Sequence, residues 1–351
     1  MVTEIAYTDL LIEMLAIPAL SREEQKRSDF LESYLHNLGH AVTRIHNNLL
    51  VGNPQLKDGG PTVLLNSHMD TVSPVEGWVS DPFSPIVKGN KITGLGSNDA
   101  GASVVTLIAT YQKMHKQLQG KVNLLLLISA EEEISGPKGI TSVLPKVGDL
   151  DGVIVGEPTE MFPAVAERGL MVLDGEVLGT AGHAARNEGV NAIYSTLSDI
   201  EAIRNLQFPK QSHWLPEAGA QVTMISAGKN HNVVPDVCRF VVDVRSNDQY
   251  GNETLLELIS SVCSAELTPR STRLKPSGLP AEHFLMKAIH TSNFEPFGSS
   301  TLSDMALVPF PAVKMGPGNS ARSHTAGEYI LKSELDLGVK RYCEFLSNIK
   351  G

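Results

Sequence analysis

Five short segments of this 351-residue chain place histidine or acidic side chains where apolar runs end. The first is Leu64-Leu65-Asn66-Ser67-His68-Met69-Asp70-Thr71. A strand would deliver His68 to the carboxyl edge of a sheet, where α/β sites lie. Asp70, two residues on, could hold the second imidazole nitrogen and so fix the tautomer that metal ligation needs. Taken alone, a histidine at a strand end is as well read as structural. The second is Gly94-Leu95-Gly96-Ser97-Asn98-Asp99-Ala100-Gly101-Ala102, where glycines allow a tight turn and Asp99 sits just before a helix that it could cap. A phosphate loop fits poorly, because the third Gly and the Lys-Ser/Thr pair are missing. The third is Ser129-Ala130-Glu131-Glu132-Glu133-Ile134-Ser135-Gly136. Consecutive acids can be a solvated helix start. At the end of a central strand they repel one another unless a cation is present. Glu157, in Gly156-Glu157-Pro158-Thr159, and His324, in Ser323-His324-Thr325-Ala326-Gly327-Glu328, complete the set. Histidines with carboxylates and no cysteine suit zinc or another borderline divalent ion.

These residues need a scaffold, and the apolar patterning predicts an α/β one. Short apolar runs at 49–51, 62–65, 121–129 and 152–155 read as strands. The run 122–128 lacks period-2 alternation, as a strand covered on both faces should. Helices are expected at 8–16, at 21–38 behind a Ser21–Glu24 capping box, and at 102–117. Alternating strands and helices imply a central, mostly parallel sheet. The pattern changes near Glu167. Strands are expected at 170–180, 220–228, 237–245 and 266–275, and helices at 190–206 and 252–263. That order is a split β-α-β unit of the ferredoxin-like, α+β kind. The α/β pattern returns with a helix at 281–291, a strand at 311–315 and a last helix at 332–348. The expected organisation is therefore one α/β domain, residues 1–166 and 277–351, interrupted by a smaller domain, 167–276.

Composition narrows the function classes. Hydrophobic residues make up 42% and charged residues 19%, an ordinary globular balance. A net charge of -10 argues against nucleic-acid partners. Three widely spaced cysteines argue against a disulfide framework. Acids at positions 4, 9 and 13 break any apolar N-terminal run, so neither a signal peptide nor a membrane span is expected, and the reading is a cytoplasmic protein.

The ordered set His-x-Asp, Gly-x-Gly-x-x-Asp, Glu-Glu, Gly-Glu-Pro-Thr and a late His resembles the di-zinc amidohydrolases that include acetylornithine deacetylase, succinyl-diaminopimelate desuccinylase and aminoacylase. The resemblance runs over nearly the whole chain. It implies a catalytic α/β domain carrying an inserted lid that also dimerises. Carried over residue by residue, it implies that His68 and Glu157 bind one zinc, Glu133 and His324 the other, and Asp99 both. Co2+ or Mn2+ could stand in for zinc. Asp70 would support His68, and Glu132 would be the general base. Two Zn2+ bring +4 against -3 from the three ligand carboxylates, leaving room for one anionic nucleophile derived from water. In the insert, Gly179-Thr-Ala-Gly-His183 resembles the segment whose histidine reaches the oxyanion across a dimer. Asn232-Val-Val-Pro-Asp236 and Arg245 resemble a substrate-binding segment, with Arg245 on the substrate α-carboxylate. Gly316 and Gly318 resemble a backbone loop lining the substrate pocket. The surroundings of Asp99 depart from the family pattern, lacking its usual Arg and Lys.

What the resemblance implies is hydrolysis of a small N-acyl amino acid, with N-acetylornithine, and hence arginine biosynthesis, foremost. N-acetyl- or N-succinyl-citrulline or -ornithine, succinyl-diaminopimelate and dipeptides are the rival substrates. A catalytically silent binding protein is the reading from another class.

Overall fold

The structure is a computed structural model, and it describes residues 7–56 and 59–349. Residues 1–6, on which the expectation of no signal peptide partly rests, lie outside the described residues. The chain divides into two compact units, one of 1–165, 279–297 and 303–351, the other of 166–278 and 298–302.

In the first unit, six strands run in the order Val42–Ile45, Asn48–Val51, Asn123–Ser129, Thr62–His68, Gly152–Val155 and Ala312–Lys314. The last four are mutually parallel; the first two form an antiparallel hairpin on the edge. Every residue of Asn123–Ser129 is buried. On one face Leu125 and Leu127 meet Ile140, Val143 and Val147 of the helix Ile140–Val147. The helix Ala102–Met114 packs against this strand and against Thr62–His68. Both faces are covered, so alternation is absent and each buried leucine contributes on the order of 2 kcal/mol. The helix Lys332–Ser347 packs on Ala102–Met114. A small antiparallel sheet joins Ile86–Lys88, Lys91–Thr93 and Tyr329–Leu331.

The second unit is an antiparallel sheet in the order Gly219–Ala227, Val237–Ser246, Gly169–Leu178 and Glu266–Pro269. With helices Ala192–Asn205 and Asn252–Val262 its chain order is strand-helix-strand-strand-helix-strand. Leu173, Phe240, Val242, Ile203, Leu255 and Ile259 form its core.

Two local expectations need correction. Ser21 caps no helix: the helix is Gln25–Asn37, with Glu24 at its N-cap position. Arg22 sits in the left-handed region at φ 78°, and Glu24 Oε1 accepts from the Arg22 amide, not from that of Ser21. Both side chains are claimed by partners far along the chain. Nor does Asp99 cap the helix starting at Ala102, whose N-cap is Gly101.

Candidate functional site

Register fixes the height of the site. His68 ends its strand level with Ser129 of the parallel neighbour, and Asn66 lies level with Val155. The Met69 amide donates to Ser129 O at 2.8 Å, and the Gly156 amide to Asn66 O at 2.6 Å. Three strands therefore end together, and the residues just beyond them, Asp70, Glu132–Glu133 and Glu157, are delivered to one place.

His68 is buried, and its Nδ1 lies 3.0 Å from the backbone carbonyl of Asp70. A carbonyl only accepts, so Nδ1 carries the proton and the lone pair sits on Nε2. That nitrogen faces Asp99 Oδ1 at 3.2 Å, Glu157 Oε1 at 3.6 Å and Glu132 Oε2 at 3.8 Å. His324 Nε2 lies 3.0 Å from Glu133 Oε2 and 3.6 Å from Asp99 Oδ2. The two oxygens of Asp99 thus face the two imidazoles, one each. Two groups of donor atoms, one from His68, Asp99 and Glu133 and one from His68, Glu132 and Glu157, each lie within 4.8 Å of one another inside the group.

A neutral imidazole whose lone pair points at three carboxylates calls for a second proton or a cation. Burial first, with repulsion from Glu157 in one case and from Asp99 and Glu133 in the other, pushes Glu132 and Glu157 well above the usual carboxylate range, with His68 opposing. His68 is itself raised well above its ordinary value: burial pulls it down, and Glu132, Glu157 and hydrogen bonds with Asp70 and Asp99 together outweigh that pull. His324 is pushed up to about 9, first by its bond to Glu133. The donor set of two imidazoles and several carboxylates fits a borderline divalent ion.

The carboxylate of Asp70 lies beside His68, as expected of it, and does a second job as well. It stands 3.5 Å from His68 Nδ1, farther than its own carbonyl. Its oxygens accept from the amides of Glu132 at 3.1 Å and Glu133 at 3.2 Å and from the Ser21 hydroxyl at 2.7 Å. The run of three acids is sorted by its turn. Glu131 adopts φ 54° and turns away, its Oε2 accepting the Lys138 amide, while Glu132 and Glu133 face the histidines. Buried Glu24 holds that turn, accepting from the Glu131 amide at 3.1 Å and from Asn47 Nδ2 at 2.9 Å.

Sequence reasoning passed over Ser21 and Glu24 as catalytic supports, because their spacing imitates a cap. It also missed Asp304, buried with its Oδ2 accepting from Asn66 Nδ2 at 2.8 Å and Ser129 Oγ at 2.7 Å. No local signal marks it.

Gly316 and Gly318 make room for neighbours of the cluster. A Cβ on Gly316 would lie 2.4 Å from Ser103 Oγ and 2.5 Å from Glu157 O. One on Gly318, at φ 91°, would lie 2.3 Å from Asn98 Oδ1. In the second unit, His183 pairs with Val233 on a short ladder, and Asn232 O accepts the Ala184 amide, so His183 and Asn232 are neighbours. The fork of Arg245 grips Asp243 of its own strand at 2.7 and 3.0 Å.

At the ends of the parallel strands and in the loops beside them, two histidines and four carboxylates gather into a cluster that could hold divalent metal. Residues 64–348 match the family model described as peptidase family M20/M25/M40, and the chain belongs to that family. As a member it is a metal-dependent hydrolase acting on amide bonds. It is 26% identical over 281 residues to succinyl-diaminopimelate desuccinylase of Rhizorhabdus wittichii, covering 75% of this chain and 74% of that one. It is 27% identical over 347 residues to the [LysW]-lysine/[LysW]-ornithine hydrolase of Saccharolobus solfataricus, covering 95% and 93%. Its fold is similar to that of aminopeptidase PepT from Bacillus cereus, with a TM-score of 0.79 at 17% identity over 99% of each chain. Among the described residues no helix is long and apolar enough to cross a membrane.

Proposed function

We propose that this protein uses two divalent metal ions, zinc foremost, to hydrolyse the amide between an acyl group and the α-amino group of a diamino acid, with N-acetylornithine as first substrate. One observation carries the reading: Asp99 turns one oxygen to His68 and the other to His324, while Glu157 and Glu132 flank the first histidine and Glu133 the second. In this reading His68 and Glu157 hold one ion, Glu133 and His324 the other, and Asp99 both. Such ions, when bound, acidify water and polarise the scissile carbonyl. Glu132 takes the proton of the attacking water and passes it to the departing amine nitrogen, so bond cleavage releases the free amino acid. Asp70 supports His68 and keeps Glu132 and Glu133 in place through their amides. His183, Asn232, Arg245, Gly316 and Gly318 serve the substrate, as the resemblance implies.

Residues 1–166 with 277–351 are proposed as the catalytic domain and 167–276 as a lid that pairs two copies of the chain. Supporting the pairing, the strand Gly219–Ala227 is a sheet edge with Met224 and Ile225 exposed, and Tyr194 and Leu197 of the helix Ala192–Asn205 are exposed too. An uncovered apolar edge is a template for another strand.

The relatives favour a second reading, in which the group removed is a succinyl group from diaminopimelate or a [LysW] group from lysine or ornithine. Ornithine is common to both readings. The test is hydrolysis of N-acetylornithine, N-acetylcitrulline, N-succinylornithine, N-succinyl-diaminopimelate and dipeptides by metal-loaded protein. Glu132→Gln is the control, expected to lose about 10²–10⁴-fold in kcat while keeping its metal. Preference for the succinyl compounds selects the second reading. Two bound ions with no hydrolysis of any amide would make the protein a silent binder.

A further inference from the structure

Glu328 lies four residues beyond His324, is buried to 2% exposure, and has no place in the chemistry above. Its Oε1 accepts from the amides of Asn98 at 2.8 Å and Asp99 at 2.9 Å, and its Oε2 from that of Gly96 at 2.9 Å. Its own carbonyl accepts the Gly94 amide at 3.0 Å. The pairing of Tyr329–Leu331 with Lys91–Thr93 is thereby continued, by a side chain, into the loop that ends on Asp99. A second tie lies alongside. Asn98 Nδ2 donates to Asn319 O at 3.1 Å while Asn98 Oδ1 accepts the Asn319 amide at 3.0 Å, as a strand neighbour would. The loop carrying Asp99 and the segment carrying His324 are stitched at both ends.

The choice of a carboxylate is informative. Closing a turn needs only one neutral acceptor, yet here both oxygens of a buried carboxyl are engaged, by three amides. Glutamate alone offers an acceptor oxygen to all three amides; glutamine would set its NH2 against at least one of them.

We propose that Glu328 is a positioning residue for the metal centre: by closing on the amides of Gly96, Asn98 and Asp99 it fixes the shared donor Asp99 relative to His324 before any metal arrives. This rests on the reading of Asp99 and His324 as ligands. Glu328 itself touches neither metal nor substrate.

The test uses the full chain. In metal-free wild-type protein the amides of Gly96, Asn98 and Asp99 are expected to be protected from hydrogen exchange, a measurement that needs no variant. Glu328→Gln is expected to lose that protection and to bind Zn2+, in competition with a chromophoric chelator, about 10–100-fold more weakly. A merely structural role would lower Tm and leave the Zn2+ affinity of the folded protein at its wild-type value. Unprotected amides in the metal-free wild type, or wild-type affinity in folded Glu328→Gln, overturns the proposal. Asp99→Asn separates the two ideas: if it binds both ions as tightly as wild type, the ligand reading itself has failed.

Discussion

Replacing Asp70 by Asn probes how the catalytic acids are held. The side chain is fully buried and its two oxygens accept three hydrogen bonds, from Ser21 Oγ and from the amides of Glu132 and Glu133. Asparagine has one acceptor oxygen. Whichever way it turns, its NH2 faces one of the two amides, since Oδ1 serves Glu132 and Oδ2 serves Glu133. The Ser21 hydroxyl can rotate to accept; a backbone N–H cannot. Leaving one buried amide unpaired costs about 1–3 kcal/mol, and turning the remaining charge-assisted bonds neutral adds about 1 kcal/mol. Loss of the charge returns nothing: burial raises this carboxyl, yet His68, Ser21 and the Glu132 amide together hold it below its ordinary value, so the fold favours the anion. The expected loss is thus about 2–4 kcal/mol in urea unfolding of metal-free protein at neutral pH. Ser21→Ala should lose about 1 kcal/mol, and the double variant less than the sum, because both act on one carboxylate. With metal and saturating substrate, Asp70→Asn should lose about 10–100-fold in kcat. Asp70→Asn with stability within about 0.5 kcal/mol of wild type and kcat within about twofold would refute the reasoning.

Three further outcomes are expected. Burial pushes Asp304 up to about 6 from an ordinary 3.8, so the folded state holds its proton more tightly than the unfolded one. Stability from this group is therefore greatest below about pH 4 and falls as pH rises to about 6, by up to about 3 kcal/mol. Asp304→Asn keeps one oxygen for Asn66 and Ser129, and should flatten that fall in urea unfolding of metal-free protein; an unchanged pH dependence would refute it. Gly318→Ala must bear both φ 91° and a Cβ 2.3 Å from Asn98 Oδ1, whereas Gly89→Ala has φ 58° with nothing within 4 Å. The first should cost clearly more than the 1–2 kcal/mol of left-handed strain expected of the second, and equal Tm losses would contradict this. Ile225, exposed on the edge strand Gly219–Ala227, should matter to self-association. Light scattering should give a dimer for wild type and a monomer for Ile225→Lys, and a wild-type monomer would remove the pairing.

The sequence by itself determined which residues stand at strand exits. His68, Glu132, Glu133 and Glu157 each follow an apolar run whose burial is dictated by hydrophobicity, so their place at one sheet edge was legible before any coordinates. The chain order of the 167–276 segment was legible for the same reason, although its last strand stops at Pro269 and not at 275. Which of the three acids turns away was not legible, because the left-handed turn at Glu131 depends on Glu24 and Lys138, more than a hundred residues away in one case. Ser21 and Glu24 read as a cap because local spacing is all that a capping pattern encodes; the stronger partners, Asp70 and the Glu131 amide, arrive only with the fold. Asp304 and Glu328 carry no local signature either. A buried carboxylate is kept by the donors that surround it, and those donors lie 175 to 238 residues away for Asp304 and 229 to 232 for Glu328. Hydrophobic periodicity sets what must be buried and where strands end; only tertiary packing decides which polar groups meet there, because a hydrogen bond is satisfied by position in space and not by distance along the chain.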